Sequence, residues 1–135
     1  MSDASSDRAV LESLYERWNR NDGDLAFDLL DPAIEVRQSP QVLDTGGIFH
    51  GHGGLLESAR ELGAAFERID WRPQRWTESG RWVLVELDIV ARGAGSGITT
   101  NLRIAHAWRL RGGLVTDFHV YESDAQAREA LGLDP

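Results

Sequence analysis

Between Ile98 and Leu133 the chain reads ITTNLRIAHAWRLRGGLVTDFHVYESDAQAREALGL, and this pattern leaves it little conformational choice. Two long alternating segments meet at Gly112–Gly113 and are followed by a short helical one, which predicts a β-hairpin and a helix. Strand side chains alternate between faces. Leu102, Ile104, His106, Trp108 and Leu110 therefore share one side of the first strand, and Arg103, Ala105, Ala107, Arg109 and Arg111 the other. Two readings of the connection are open. A two-residue Gly112–Gly113 turn sets Val115, Asp117 and His119 beside the apolar face. A three-residue Arg111–Gly113 loop, with Gly113 at φ > 0 in a G1 bulge, sets Leu114, Thr116, Phe118 and Val120 there instead. The second keeps the face apolar and is preferred. It puts His106 opposite Phe118, an ionisable group in an apolar wall, and sends Asp117 and His119 to the other face.

A chain of 135 residues suits one domain burying roughly two-thirds of its unfolded surface; residues 1–6, small and polar, are expected to fray. Cysteine is absent, which excludes disulfides, thiolate nucleophiles and cysteine-ligated zinc. All fourteen basic residues are arginine, which excludes Schiff-base chemistry and a P-loop lysine. A net charge of −8 argues against nucleic-acid binding, which needs a concentrated positive surface. No apolar run approaches a membrane span and no basic segment precedes an apolar one at the start, so no membrane partner and a cytoplasmic location are expected.

Upstream, Val10, Leu11, Leu14, Tyr15 and Trp18 have the spacing of one helical face within Asp7–Arg20. Asp22-Gly23-Asp24 stops that helix and offers Asp24 as N-cap of a second, Leu25 to Leu30, ending before Pro32. Ile34, Val36 and Gln38 predict one face of a short strand. A Gly- and Pro-containing loop, Ser39 to Gly47, and a strand fragment at Ile48–Phe49 follow. A third helix opens near Gly51–Gly54, with Leu55, Ala59, Leu62, Phe66 and Ile69 as its apolar stripe. Ile69 to Thr77 contains Pro73, so it reads as an edge or bulged strand. Val83, Val85, Leu87 and Ile89 alternate with Trp82, Leu84, Glu86 and Asp88 in the next. A helical first half and a strand-rich second half predict an α+β fold, helices packed on one face of a curved sheet.

Most motifs have plain structural explanations. GAGSG at 93–97 joins antiparallel strands and opens no helix, so it is a hairpin tip and not a phosphate cradle. GHGG at 51–54 shapes a helix entry. His50 and His52 form an HxH pair, but His106 and His119 lie on opposite faces, so no metal site is expected; no other cofactor is expected either. Of the five tryptophans, Trp18 and Trp108 fall on core-facing registers, while Trp71, Trp76 and Trp82 belong to the edge hairpin. With Tyr15, Phe66 and Phe118, the first two would suit a flat hydrophobic ligand between sheet and helices. Burial would keep His106 neutral, suited to a general base or to a donor toward a carbonyl oxygen. Tyr15 and Gln38 are placed to orient the substrate. Phe49, Val120 and Glu122, the last the one acidic group this register turns inward, complete the expected binding set.

In this order and spacing, YERWNRNDGD at 15–24, AIEVRQSP at 33–40, GGIFHGHGGL at 46–55 and RIAHAWRLRGGLVTDFHVYES at 103–123 resemble the SnoaL-like group of the nuclear-transport-factor-2-like superfamily. That superfamily includes ketosteroid isomerases and polyketide cyclases. The resemblance implies a cone-shaped, half-open α+β barrel with a deep apolar pocket, N-terminal helices on a mostly antiparallel sheet, and a homodimer through the outer sheet face. It also implies a carboxylate base where this chain has Gln38, and an oxyanion hole at positions matching Leu14 and His106, with Tyr15 one residue away. A glutamine cannot shuttle a proton, so the ketosteroid isomerase mechanism does not carry over.

Two functions are expected on these grounds. One is an isomerase- or cyclase-type enzyme acting on a hydrophobic carbonyl compound, with His106 as acid/base or oxyanion donor. The other is a non-catalytic carrier or sensor using the same pocket. A cavity below roughly 300 Å³ would favour a third reading, a protein adaptor. A homodimer is expected through Ala105, Ala107, Arg109, Asp117, His119 and Tyr121, joined by Trp82, Leu84, Glu86 and Asp88.

Overall fold

A computed structural model describes residues 4–39 and 47–135, without the side chains of residues 4 and 5. Helix α1 (Ala4–Trp18) leads through a 3-10 turn (Phe27–Leu29) into β1 (Leu30–Gln38) and β2 (Gly47–His50). Helix α2 (Gly51–Ala65) follows, then β3 (Phe66–Ser79), β4 (Trp82–Gly93), β5 (Thr99–Arg111), β6 (Leu114–Tyr121) and α3 (Asp124–Leu131). The six strands form one sheet in the order β2-β1-β6-β5-β4-β3. Among the described residues only the β1–β6 pair is parallel. The sheet's two ends do not pair, which leaves an open α+β half-barrel.

The β5–β6 hairpin corrects both the expected loop and the pairing. Gly112 and Gly113 have φ of 59° and 82°, a two-residue turn of the kind that matches strand twist. Its register, Arg111↔Leu114 and Leu110↔Val115, lasts only until a bulge that opposes Arg109 to Thr116–Asp117. Beyond it Trp108 pairs with Phe118, and His106 with Val120 in place of Phe118. The extra residue restores the apolar face expected from the three-residue loop. Phe118 and Val120 point inward, but the residue that joins them in the core is Val115, not Leu114 or Thr116.

The inner face packs against α1 and α2. Leu11, Leu14 and Tyr15 of α1 are buried, as are Ile34, Val36 and Gln38 of β1 and Val83, Val85, Leu87 and Ile89 of β4. Two local expectations fail. Asp24 caps no α-helix: its Oδ1 accepts from the Ala26 N–H at 2.9 Å and only a 3-10 turn follows, so β1 already begins at Leu30. Helix α2 ends at Ala65, so Phe66 and Ile69 belong to β3, where they still face inward. Two glycines explain the tight entry to α2. Gly51 adopts φ +72°, and a Cβ on Gly54 would lie 3.0 Å from Phe49 Cβ.

Helices α1 and α2 pack on one face of the sheet, as expected, and only α3 departs from that arrangement. Helix α3 packs on the outer face, where Ala127 covers Leu84, Ala105 and Ala107. Ser123 Oγ caps this helix by accepting from the Gln126 N–H at 3.0 Å. Of the expected loops, residues 40–46 lie outside the described residues, as do residues 1–3 of the expected frayed end; α1 is already helical at Ala4. No helix among the described residues is long and apolar enough to cross a membrane.

Strand β3 is the sheet's edge and is bulged, as Pro73 predicts: Pro73 pairs with Leu87 and Arg75 with Glu86. The extra residue at Gln74 changes which parity faces inward, so Ile69 and Trp71 before it and Trp76 after it all join the core. Asn19 and Asn21, at the exit of α1, cover part of this free edge. Asn19 Nδ2 donates to Trp71 C=O and its Oδ1 accepts from Trp71 N–H, both at 2.7 Å. Asn21 does the same for Ile69 at 3.0 and 3.1 Å. Two side-chain amides thus act as a surrogate strand on groups that would otherwise be unpaired.

Candidate functional site

Between the inner sheet face and α2 lies a cavity of about 410 Å³. One cross-strand row organises its buried end. Gln38 on β1 pairs with Val120 on β6, Val120 with His106 on β5, His106 with Val85 on β4, and Val85 with Trp76 on β3. Adjacent strands lie about 4.8 Å apart, which sets the Gln38 and His106 backbones roughly 10 Å from each other. Both side chains line the cavity, with Phe118, Val120, Ile104, Trp18 and Trp71.

His106 is fully buried. Tyr15 Oη lies 2.6 Å from its Nδ1 and also accepts the Trp108 indole N–H at 2.9 Å. The indole can only donate, so the phenol oxygen accepts from it. The phenol hydrogen then has one acceptor within reach, Nδ1. That assignment leaves the His106 proton on Nε2, which has no hydrogen-bond partner among the described residues. Desolvation pushes the imidazole pKa down to about 3, so the ring is neutral at physiological pH. Burial also raises the Tyr15 phenol well above its ordinary value, with the Trp108 hydrogen bond opposing. The relay Trp108→Tyr15→His106 therefore leaves a buried Nε2–H, without a partner among the described residues, on a side chain that borders the cavity. Phe118 meets the imidazole edge-on at 4.8 Å and stacks on Trp108 at 4.2 Å, fixing the ring from the other side.

Gln38 Nε2 donates to Ser58 Oγ at 3.0 Å, joining β1 to α2 across the cavity wall. The expected set is thus partly assembled. His106, Gln38, Trp18, Phe66, Phe118 and Val120 line the cavity, while Tyr15 and Trp108 stand behind His106. Phe49 packs against the core outside the lining. Glu122 is exposed, because β6 ends at Tyr121 and Ser123 turns the chain into α3. Ser58 and Trp71 are among the lining residues that went unread. Ser58 lies three residues after Leu55 and four before Leu62, so its position on the apolar stripe was the available signal. Trp71 is turned inward by strand parity ahead of the Gln74 bulge.

Among the described residues, no carboxylate sits at the buried end. The acidic lining residues are Asp24, which Arg17 holds at 2.8 Å, and Glu67, which Arg92 engages.

The HxH pair does not form a ligand set. His50 is exposed; His52 Nε2 meets Leu30 C=O at 2.9 Å and its ring stacks on Phe27. Among the described residues, the ligand-type groups that do converge are Glu35, Asp117 and His119 on the outer face, within 4.8 Å of one another. Arg37 already bonds Glu35 at 3.0 Å, and Arg109 bonds Asp117 at 2.9 Å, so two guanidiniums supply the positive charge there. The Arg37 hydrogen bond lowers the Glu35 pKa; burial lowers that of His119, against the pull of Glu35.

The structure is similar to several solved ones. A nuclear-transport-factor-2-like protein of unknown function from Burkholderia pseudomallei superposes with a TM-score of 0.76 at 21% identity, covering 96% of this chain and 97% of that one. TerC, co-crystallised with polyporic acid, gives 0.76 at 20% identity over 93% and 97%. A protein with a ketosteroid isomerase-like fold from Catenulispora acidiphila, in complex with trimethylamine, gives 0.68 at 16% over 93% of each chain. At such identities the likeness is one of fold. No protein of curated function matches the sequence. The SnoaL-like domain model matches residues 11–118, a span running from the helix that carries Tyr15 to the strand that carries Phe118, and the chain belongs to the SnoaL-like family.

Proposed function

We propose that this protein binds a flat, hydrophobic carbonyl compound with the carbonyl oxygen on His106 Nε2–H, and promotes isomerase- or cyclase-type chemistry by stabilising negative charge on that oxygen. One observation carries the reading: a neutral, fully buried imidazole borders an apolar cavity and carries an N–H with no acceptor among the described residues. An unpaired buried donor costs about 1–3 kcal/mol, which a ligand oxygen would recover. An enolate, formed once a solvent base takes the substrate's α-proton, would recover more, because hydrogen bonds to charged oxygen are roughly twice as strong.

Of the two roles expected of His106, oxyanion donor fits and acid/base does not. Releasing the Nε2 proton to substrate would require Nδ1 to take the Tyr15 proton, and the buried phenolate left behind is disfavoured. Gln38 is neutral and would position the ligand through its amide. The cavity volume lies within the roughly 300–1,000 Å³ of small-molecule sites, which counts against an adaptor with a collapsed core. That solved proteins of this fold were crystallised with polyporic acid or trimethylamine supports a small-molecule role.

Among the described residues no carboxylate lines the buried end, which favours a second reading, a carrier or sensor that binds and releases the same compounds unchanged. Screening hydrophobic ketones and quinones by thermal shift, then following each hit by mass spectrometry, separates the two. Product formation that drops in H106F supports the enzyme, and binding without conversion supports the carrier. Hits that bind H106F as tightly as wild type refute the role of His106 in both.

A further inference from the structure

We infer that Arg60 selects ligands carrying a carboxylate at the end that faces the cavity mouth, so that the preferred compound is a hydrophobic keto acid rather than a neutral ketone. The inference rests on the cavity being a small-molecule site, as proposed above.

Among the described residues, four charged side chains line the cavity: Asp24, Arg60, Glu67 and Arg68. Three are neutralised within the protein. Arg17 holds Asp24 at 2.8 Å, Arg92 pairs with Glu67, and Asp70 lies 3.0 Å from Arg68. Arg60 is exposed and has no ion-pair partner among the described residues, so the described part of the lining carries one uncompensated charge, and it is positive.

Helix geometry places this charge. Ser58 and Leu62 are four residues apart on the α2 face toward the buried end, where Ser58 meets Gln38. Leu56, Arg60 and Gly63, spaced four and three, form a second row roughly 140–160° around the helix from Ser58, and the exposed Arg60 still borders the cavity. Opposite, Thr100 and Leu102 of β5 continue the wall that holds Ile104 and His106, and Leu102 is 45% exposed. From His106 to Leu102 is four residues of strand, about 13 Å. A ligand spanning that length would set its carbonyl on His106 and its far end within reach of the long Arg60 side chain. A guanidinium fork fits a carboxylate in bidentate fashion.

The test uses two probes of one shape, 2-acetylnaphthalene and 6-acetyl-2-naphthoic acid, titrated by calorimetry into wild type, R60Q, R60E and H106F at low salt. For an exposed ion pair the acid should bind wild type roughly two- to five-fold more tightly than the ketone. R60Q should erase that preference without changing ketone affinity, and R60E should reverse it. Added salt should narrow the gap in wild type alone. H106F should weaken both probes equally, which separates the two ends of the site. Equal affinity of both probes for wild type, or a preference for the acid that survives in R60Q, overturns the role of Arg60 and leaves the pocket reading standing. Binding of neither probe overturns both.

Discussion

Lowering the pH should destabilise this protein through His106 before its carboxylates protonate. The imidazole pKa falls from an ordinary 6.5 to about 3 because the ring is wholly desolvated. In the unfolded chain it regains the ordinary value. Between these limits the unfolded state binds a proton that the folded state does not, so stability is complete above pH 6.5 and declines as the pH falls toward 3. Each pH unit in that window costs about 1.4 kcal/mol, or about 2 kcal/mol from pH 6.5 to 5. His119, which burial also depresses, adds to the loss with the same sign. Urea unfolding of wild type and H106Q at pH 7.5 and 5.0 isolates the His106 share, because the variant retains His119 and every carboxylate. The wild-type midpoint should fall by roughly 1 M more than that of H106Q, given an m-value of about 1–3 kcal/mol/M. Parallel losses in the two proteins would show that His106 titrates as an ordinary imidazole, and the neutral-donor argument would collapse.

Other expectations follow from the same geometry. Tyr15→Phe strips the partner from both Trp108 Nε1 and His106 Nδ1 and should cost roughly 2–5 kcal/mol; nitrogen NMR should show His106 as the Nε2–H tautomer in wild type, and a wild-type Nδ1–H tautomer would refute the relay. Gln38→Glu puts a carboxylate into a position only 8% exposed, which should raise its pKa. The variant's penalty relative to wild type should therefore be absent near pH 4 and grow as the pH rises past about 4.3; a constant penalty would refute it. Ala107→Arg forces a guanidinium under α3 and should destabilise the monomer itself by more than about 3 kcal/mol, so it is no clean probe of assembly. A homodimer through the rest of that face would sediment at twice 15.0 kDa at micromolar concentration, and a persistent monomer refutes it.

What the sequence made legible were features that repeat with a fixed period. The stripe Leu11, Leu14, Tyr15, the β4 alternation and the inward Ile34, Val36 and Gln38 were all readable because burial there follows helix or strand geometry. Bulges interrupt period two, and they caused the main errors. One at Thr116 changed the pairing of His106; one at Gln74 lay between two tryptophans that both turn inward. The outer alanines were legible as a close-packing surface, but local pattern does not say whether the covering element is another chain or, as here, α3. The Tyr15–His106 bond joins residues 91 apart, and no spacing rule reaches that far. Ser58 was passed over because a hydroxyl on an apolar stripe reads as an interruption.

The amides of Asn19 and Asn21 also bear on the order in which the fold is assembled. They tie the exit of α1 to an edge strand 52 and 48 residues away, and their targets exist only once β3 has paired with β4. Hairpins β3–β4 and β5–β6 are local and close short loops, whereas this tie must close a long one. It is therefore expected to form after the rate-limiting barrier. Removing it, as in Asn19→Ala, should leave the refolding rate almost untouched and accelerate unfolding instead. Those two asparagines would then govern how long a folded molecule lasts rather than how quickly one is made.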